Sequence, residues 1–448
     1  MTTSEREPTS YVEMFHGAED KPFDRWTTFT IRDAFDDPLG SFDFETRPGE
    51  DEFQRYYETL QKGDMVLIKV NGHIQQLGLI QTKTTTFSRD GGGVIRLQGN
   101  WPISILYDSC VDPNFTIDTI TDTRAVGLVQ RIANEYGLFV TAEDRWDSTV
   151  NVMTGKALGG DVQDLVKVEE LKVGQANPHQ NEKAYTYLAR LITRLGAVLR
   201  QQYDGYLILS RPHYKQPVAY NVALPPSGND ADTDLFMDNL TITDSNNEQY
   251  GTIIVRGESS DKKGQKRTSE PEVAMCVEGK VVMQPVVDKA YEKAAPGVPP
   301  PQVEVLDDEF NTFIGNPHHQ LYQAGNVQLT YYYGEIPGVF APFRFKPLYI
   351  KDKSARDVQQ AKNLAMLMFG LRAPRAFNIT GTVPGFVSAS GRVWTIDTIC
   401  NVQIPQIGLN EDMWVLERTL KLDRNGGQTT DLKLLPKGWF MIGEAPSG

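Results

Sequence analysis

The sequence predicts an α+β fold, mainly β: two barrel-like β modules, an α+β domain inserted within the first, and a further small mixed domain. Three observations carry that expectation. The turn signal Asn71-Gly72 stands between two apolar runs in GDMVLIKVNGHIQQLGLIQT, residues 63–82, and Asn-Gly favours the two-residue turn whose twist suits a hairpin. After Asp112 the apolar spacing changes from alternation to a helical period. Finally, a long strand pattern reaching Arg-(Asp/Asn)-Gly-Gly occurs twice, in LIQTKTTTFSRDGG (79–92) and WVLERTLKLDRNGG (414–427), each time followed by a returning strand.

Residues 1–22 read as a polar arm. The first module spans 23–111 and takes back a strand pair at about 232–260. It begins with WTTFTIRDAF, which alternates Phe29 and Ile31 with polar residues, turns at Asp37-Pro38-Leu39-Gly40 and returns as SFDFE. DEFQRYYETLQKG is a short connector before the 63–82 hairpin. A regular two-residue turn places Val66, Ile68, Val70, Leu77 and Leu79 on one face of that hairpin, and Met65, Leu67, Ile74 and Ile80 on the other. Two apolar faces suit either a wall leaned on by neighbouring copies or a sheet covered by the inserted domain.

The insert covers 112–215. DTRAVGLVQRIANEYG sets Ala125, Val129, Ile132 and Tyr136 on one helical face, with Asp122 or Thr123 as the cap at its start and Gly137 at its end. NEKAYTYLARLITRLG sets Tyr187, Leu188, Leu191, Ile192 and Leu195 on a second stripe, and AVLRQQYDGYLILSRP is a hairpin about Asp204-Gly205. Residues 261–350 hold a connector and the small mixed domain, including the proline-rich stretch 294–302. Residues 351–448 supply a helix, with Ser354 and Asp357 resembling a capping box, and the second module.

The chain has 448 residues, 40% hydrophobic and 23% charged, a size that suggests about two to four soluble globular domains. The opening MTTSEREPTSYVEMFHG lacks the layout of a secretory signal, so synthesis in the cytosol is expected, with no membrane insertion. Cys110, Cys276 and Cys400 lie far apart and read as small buried hydrophobes rather than a disulfide framework. A net charge of −13 argues against nonspecific nucleic-acid binding.

The sequence offers no catalytic, cofactor-binding or metal-binding residue, and no cofactor is expected. The histidines are His16, His73, His179, His213, His318 and His319; only the last two adjoin, and no HxxxH or HExxH spacing occurs. His73 is expected at a solvent edge. No GxSxG is present, and RDGGGV at 89–94 lacks the Walker lysine, which leaves it a hairpin turn. DSNNEQYG at 244–251 matches a calcium loop only loosely. The acidic run from Asp33 to Glu52 reads as a solvated face, or as a surface that repels phosphate. Lys262, Lys263, Lys266 and Arg267 form a basic loop without aromatic residues for base stacking.

In order and spacing, four stretches resemble the baseplate hub proteins of contractile-tailed bacteriophages, the Mu-type hub and late control protein D family. They are GDMVLIKVNGHIQQLGLI with VIRLQGNWPISILYDSCVD, then AVGLVQRIANEYGLFV with AYTYLARLITRLGAVLRQQYDGYLILSRP, then DNLTITDSNNEQYGTIIVRGES, and last SARDVQQAKNLAMLMFGLRAPRAFNITGTVPGF with DMWVLERTLKLDRNGGQTTDLKLL. The resemblance implies that the β modules are tube-like barrels. It implies a homotrimer whose paired barrels make a pseudo-sixfold ring in the tail baseplate of a virion. Its partners are then the tail tube or a tube-initiator protein, the central spike and other baseplate proteins, and DNA passes through the lumen without specific binding. The family carries no catalytic residues, so none transfers. Two other readings stand beside it: a tail-associated cell-wall hydrolase and a nucleic-acid-binding module.

Overall fold

The structure, a computed structural model, describes residues 11–17, 21–88, 92–112, 114–115, 125–140 and 178–193. It also describes 197–245 and 364–437 apart from a few positions in each, residue 440, and the separate strands between 252 and 352. Two compact units divide the chain: Met1–Ala189, Val198–Asp244 and Phe377–Lys437 form one, and Arg190–Ala197, Ser245–Ala376 and Gly438–Gly448 the other.

In the first unit β1 (Val12–His16), β2 (Thr28–Ala34), β3 (Ser41–Thr46), β4 (Met65–Val70), β5 (His73–Ser88) and β6 (Gly92–Asn100) build the first β module, with α1 (Glu50–Thr59) between β3 and β4. The expected turn forms, with Asn71 at φ 50° and Gly72 at φ 77°. α2 (Ser104–Asp108), α3 (Ala125–Glu135) and α4 (Ala184–Ile192) follow, then the hairpin of β7 (Val198–Gln201) and β8 (Leu207–Ser210). α3 buries Leu128, Val129, Ile132 and Ala133, and Gly137 ends it at φ 72°. The caps expected at Asp122 or Thr123, and the stripe position Leu195, lie outside the described residues.

β9 (Val218–Ala223), β10 (Asp234–Leu235) and β11 (Thr241–Asp244) lead into the second unit. There β12 (Thr252–Gly257), β13 (Glu272–Val277), β14 (Lys280–Pro285), β17 (Asn326–Tyr332) and β18 (Pro347–Asp352) form a mixed five-stranded sheet in the order β14-β13-β17-β12-β18; β15 (Val303–Glu304) and β16 (Ile314–Gly315) pair separately. The chain re-enters the first unit as β19 (Phe377–Pro384), β20 (Ile399–Ile404), β21 (Leu409–Asp423) and β22 (Gly427–Pro436). With β9, β10 and β11 these make the second module. Both modules belong to one thirteen-stranded sheet, so the chain is α+β and mainly β.

The modules repeat each other in register. β5·β6 turns from Ser88 to Gly92 and β21·β22 from Asp423 to Gly427, with both glycines at positive φ, 70° and 69°. Each long strand has one bulged residue at the same remove from the turn: Gln81, between Ile80 paired to Gly99 and Thr82 paired to Gln98, and Leu416, between Val415 paired to Leu434 and Glu417 paired to Lys433. On one flank, Leu79 opposes Met65 as Trp414 opposes Ile399. On the other, Phe42 opposes Gly99 as Ile379 opposes Leu434. One strand further out, Ile31 opposes Phe42 as Ile242 opposes Ile379. Strands β2-β3-β6-β5-β4 therefore correspond to β11-β19-β22-β21-β20.

Side chains compensate across the repeat. Phe42 lies over Gly78 and Gly99, where a Cβ would come within 2.6 and 2.4 Å of its ring. The second module places Ile379, Met413 and Leu434 at these positions, all buried in one cluster. One large and two minimal residues are exchanged for three of middle size, which conserves filled volume.

Four expectations change. The strand text at 232–260 does not close the first module: Thr241–Asp244 pairs β19, and Thr252–Gly257 pairs β17 and β18 in the other unit. Within the arm of residues 1–22, Val12–His16 forms a strand on β4 and buries Val12 and Met14. Next to the Asn71-Gly72 turn a bulge at Gln75 pairs Ile68 with Gln76 rather than Gln75, so Ile80 joins Val66, Ile68 and Val70 on the buried face. Leu77, moved to the opposite face, meets the insert: Gln201 Nε2 donates to its carbonyl at 3.2 Å, and a Cβ on Gly205 would stand 2.5 Å from its Cδ2. Finally, Cys400 is buried, its thiol pushed up by burial, whereas Cys110 is exposed.

Candidate functional site

The two modules meet strand to strand. β2 pairs antiparallel with the outer half of β21, Phe29 opposite Leu422 through Ala34 opposite Glu417, and the Phe35 amide extends the ladder to the Leu416 carbonyl at 2.9 Å. Alternation in β2 sends Phe29 and Ile31 inward, and Leu420 is fully buried on β21.

Charge fixes the register. The Arg32 guanidinium donates to both Glu417 carboxylate oxygens, at 2.7 and 3.1 Å, and to Asp37 at 2.7 Å. The Glu417 bonds, ahead of those from Asp37, push the guanidinium pKa up. Asp33 lies 3.9 Å from Arg418, whose side chain is 3% exposed. Arg418 Nη1 also donates to Gln75 Oε1 at 2.7 Å and to the Trp394 carbonyl. Burial pulls the Arg418 guanidinium down and pushes the Asp33 carboxyl up, and each opposes the other's shift. The bulge at Gln75 thus places a module-one amide on a module-two cation.

Beside this seam Asp397 holds a corner. It stands at φ 58°, a left-handed conformation that strains a non-glycine residue. Its first-module counterpart is Gly63 at φ 94°. Both corners make the same two backbone bonds: Gly63 to Ile80 and Ile80 to Asp64 at 2.8 and 2.9 Å, and Asp397 to Val415 and Val415 to Thr398, both at 2.9 Å. The Asp397 carboxylate offsets its strain by accepting from the His213 amide at 2.9 Å and Trp414 Nε1 at 2.9 Å, with His213 Nδ1 at 2.5 Å and Arg200 Nη2 at 3.6 Å. Ser210 Oγ accepts from Arg200 Nε at 2.7 Å. A histidine, an aspartate and a serine meet here, but the carboxylate is occupied in fixing a backbone corner and the serine in holding Arg200.

Among the described residues, the acidic run is mostly ion-paired rather than a bare negative face. Asp33 meets Arg418, Asp37 meets Arg32, Asp43 meets Arg96, and Glu52 meets Lys21 and Arg25. His73 is exposed, as expected. The basic loop at 262–267, His318-His319 and most of 244–251 lie outside the described residues. Among the described residues no three His, Cys, Asp or Glu side chains gather into a metal-binding group, and no helix is long and apolar enough to cross a membrane.

No protein-family model matches the sequence. No curated protein matches it either. Solved structures do. The tail protein from Neisseria meningitidis MC58 superposes with a TM-score of 0.59 at 15% identity, over 96% of this chain and 98% of that one. The 43 kDa tail protein of prophage MuSo2 from Shewanella oneidensis gives 0.60 at 16% identity, over 97% and 100%. The chain has the fold of these two tail proteins. The sequence marks Phe29, Ile31 and Asp33 but not the seam they make: the alternation of β2 is plain in the text, but its partner strand lies 385 residues away at the Arg32–Glu417 pair.

Proposed function

We propose that this chain is a structural baseplate hub of a phage contractile tail, a ring-forming protein without chemistry of its own. One observation carries the reading: two β modules repeated in register within a chain that has the fold of phage tail proteins. Three copies would present six near-equivalent modules, a ring that matches a sixfold tube on one side and a threefold spike on the other. The tail tube or a tube-initiator protein, the central spike and other baseplate proteins are the proposed partners, and the tail baseplate of the virion the proposed location. DNA would pass through the lumen without specific binding. Because the described acids of the 33–52 run are largely paired, phosphate repulsion by that run is not part of the proposal.

Solution mass and particle imaging of the purified full chain test it. The expected result is a particle of three times the 50.2 kDa chain mass with threefold symmetry, near-sixfold in projection, around a central opening. A stable monomer, or a closed dimer without an opening, overturns it.

A further inference from the structure

Among the described residues, the repeat defines a strand pairing that a single chain leaves unmade. β2 is paired on both edges, by β3 and by the outer half of β21. Its counterpart β11 is paired only by β19 among the described residues. Likewise the outer half of β21 is paired by β22 and β2, whereas its counterpart, Thr82–Phe87 of β5, is paired only by β6 among the described residues. The exposures agree: Arg418, Thr419 and Leu420 are buried beneath β2, while their counterparts Lys83, Thr84 and Thr85 are not. Ile242 of β11 is 38% exposed, against none for Ile31 of β2, and Phe87 is 70% exposed. Among the described residues, each chain thus carries one open strand and one open seat of matching design.

We infer that β11 of one copy pairs antiparallel with Thr82–Phe87 of β5 in a second copy, repeating between chains the β2·β21 seam within a chain. Carrying the observed register across the repeat sets Leu240 opposite Phe87, Thr241 opposite Thr86, Ile242 opposite Thr85, Thr243 opposite Thr84 and Asp244 opposite Lys83. The last pair supplies charge complementarity, because Asp33 and Arg418 occupy the same two positions in the internal seam. Leu240 and Phe87 bring apolar side chains together at the other end. Lys83 is held ready: its ammonium donates to the Tyr57 carbonyl and lies 4.4 Å over the Tyr57 ring. The occupant is a second copy of this chain, since only its β11 is already matched to the seat by an internal precedent. The contact is heterologous, head to tail, and closes a ring only when the rotation permits. It rests on the ring reading for the number of copies, but not for the register.

Disulfide trapping in the full chain tests the register. The background carries Cys110→Ser, since Cys110 is exposed. Adjacent opposed pairs alternate between wide and narrow spacing, so two double variants are made, T84C/T243C and T85C/I242C, with the slipped pair T86C/T243C as control. Mild oxidation is expected to give a reducible ladder of linked chains in at least one opposed pair and little in the slipped one. Trapping in the slipped pair alone, or in none, overturns the register. In a second arm Asp244→Lys lowers the assembled mass, and adding Lys83→Glu to it restores assembly; an assembled mass indifferent to Asp244→Lys overturns the charge pair. A threefold ring that fails to trap leaves the ring reading standing and sinks this junction. Trapped chains in a particle without threefold symmetry do the reverse.

Discussion

Asp33 faces Arg418 at 3.9 Å across the strand pair that joins the two modules. The arginine is nearly sealed from water and also serves Gln75 and a backbone carbonyl. Removing one member of such a group leaves the others desolvated and unpaired, which costs more than the pair contributes.

Arg418→Ala is therefore expected to lower unfolding free energy by about 3 kcal/mol. Arg418→Met combined with Asp33→Asn removes the charges together and recovers part of that loss. Urea denaturation of the two variants checks both outcomes.

Asp43 makes stability depend on acid. Burial raises its pKa, but bonds from Arg96 Nε and Gln98 Nε2, each 2.8 Å, outweigh burial, and the folded value falls below the ordinary one. For a depressed acid the stabilisation is complete above the unfolded pKa, about 3.9, and is lost as pH falls through the folded value. Asp43→Asn should lower stability at pH 7 and flatten its decline below about pH 4, read by denaturation midpoints across pH.

The compensation around Phe42 predicts a rescue. Gly99→Leu alone drives a side chain into the Phe42 ring and toward the Leu79 carbonyl, 2.1 Å from a built Cβ. It should cost about 3 kcal/mol or prevent folding. The triple variant F42I/G78M/G99L copies the second module's set and is expected to melt well above the single one; equal melting temperatures would show that the repeat does not extend to packing.

Asp397→Gly relieves a left-handed strain but deletes the acceptor for His213 and Trp414. The lost bonds outweigh the relief, and a net loss of about 2 kcal/mol is expected. Asp397→Ala loses the same bonds, keeps the strain and should be worse, an order that thermal unfolding of the pair of variants reveals.

Much of the local structure was legible. Asn71-Gly72 and Asp204-Gly205 announced their turns, the helical spacing around Val129 its buried face, and the two Arg-x-Gly-Gly runs their matching hairpins. What stayed hidden was non-local. No feature of Thr241–Asp244 says which module it joins, because a short strand fits any open edge. The bulge at Gln75 was unreadable because Gln75-Gln76 offers no polarity contrast to mark a slip of register. The Val12 and Met14 alternation was readable, but too brief to stand out among polar neighbours.

The two counterpart segments Thr82–Phe87 and Glu417–Leu422 read TKTTTF and ERTLKL, and that difference has a mechanical outcome. In the inferred assembly, stiff joints within subunits, clamped by a forked arginine and sealed by Leu420, alternate with compliant joints of threonine on threonine between them. Hoop tension on that inferred ring would open the compliant joints first, so that it would part between chains rather than through the middle of one.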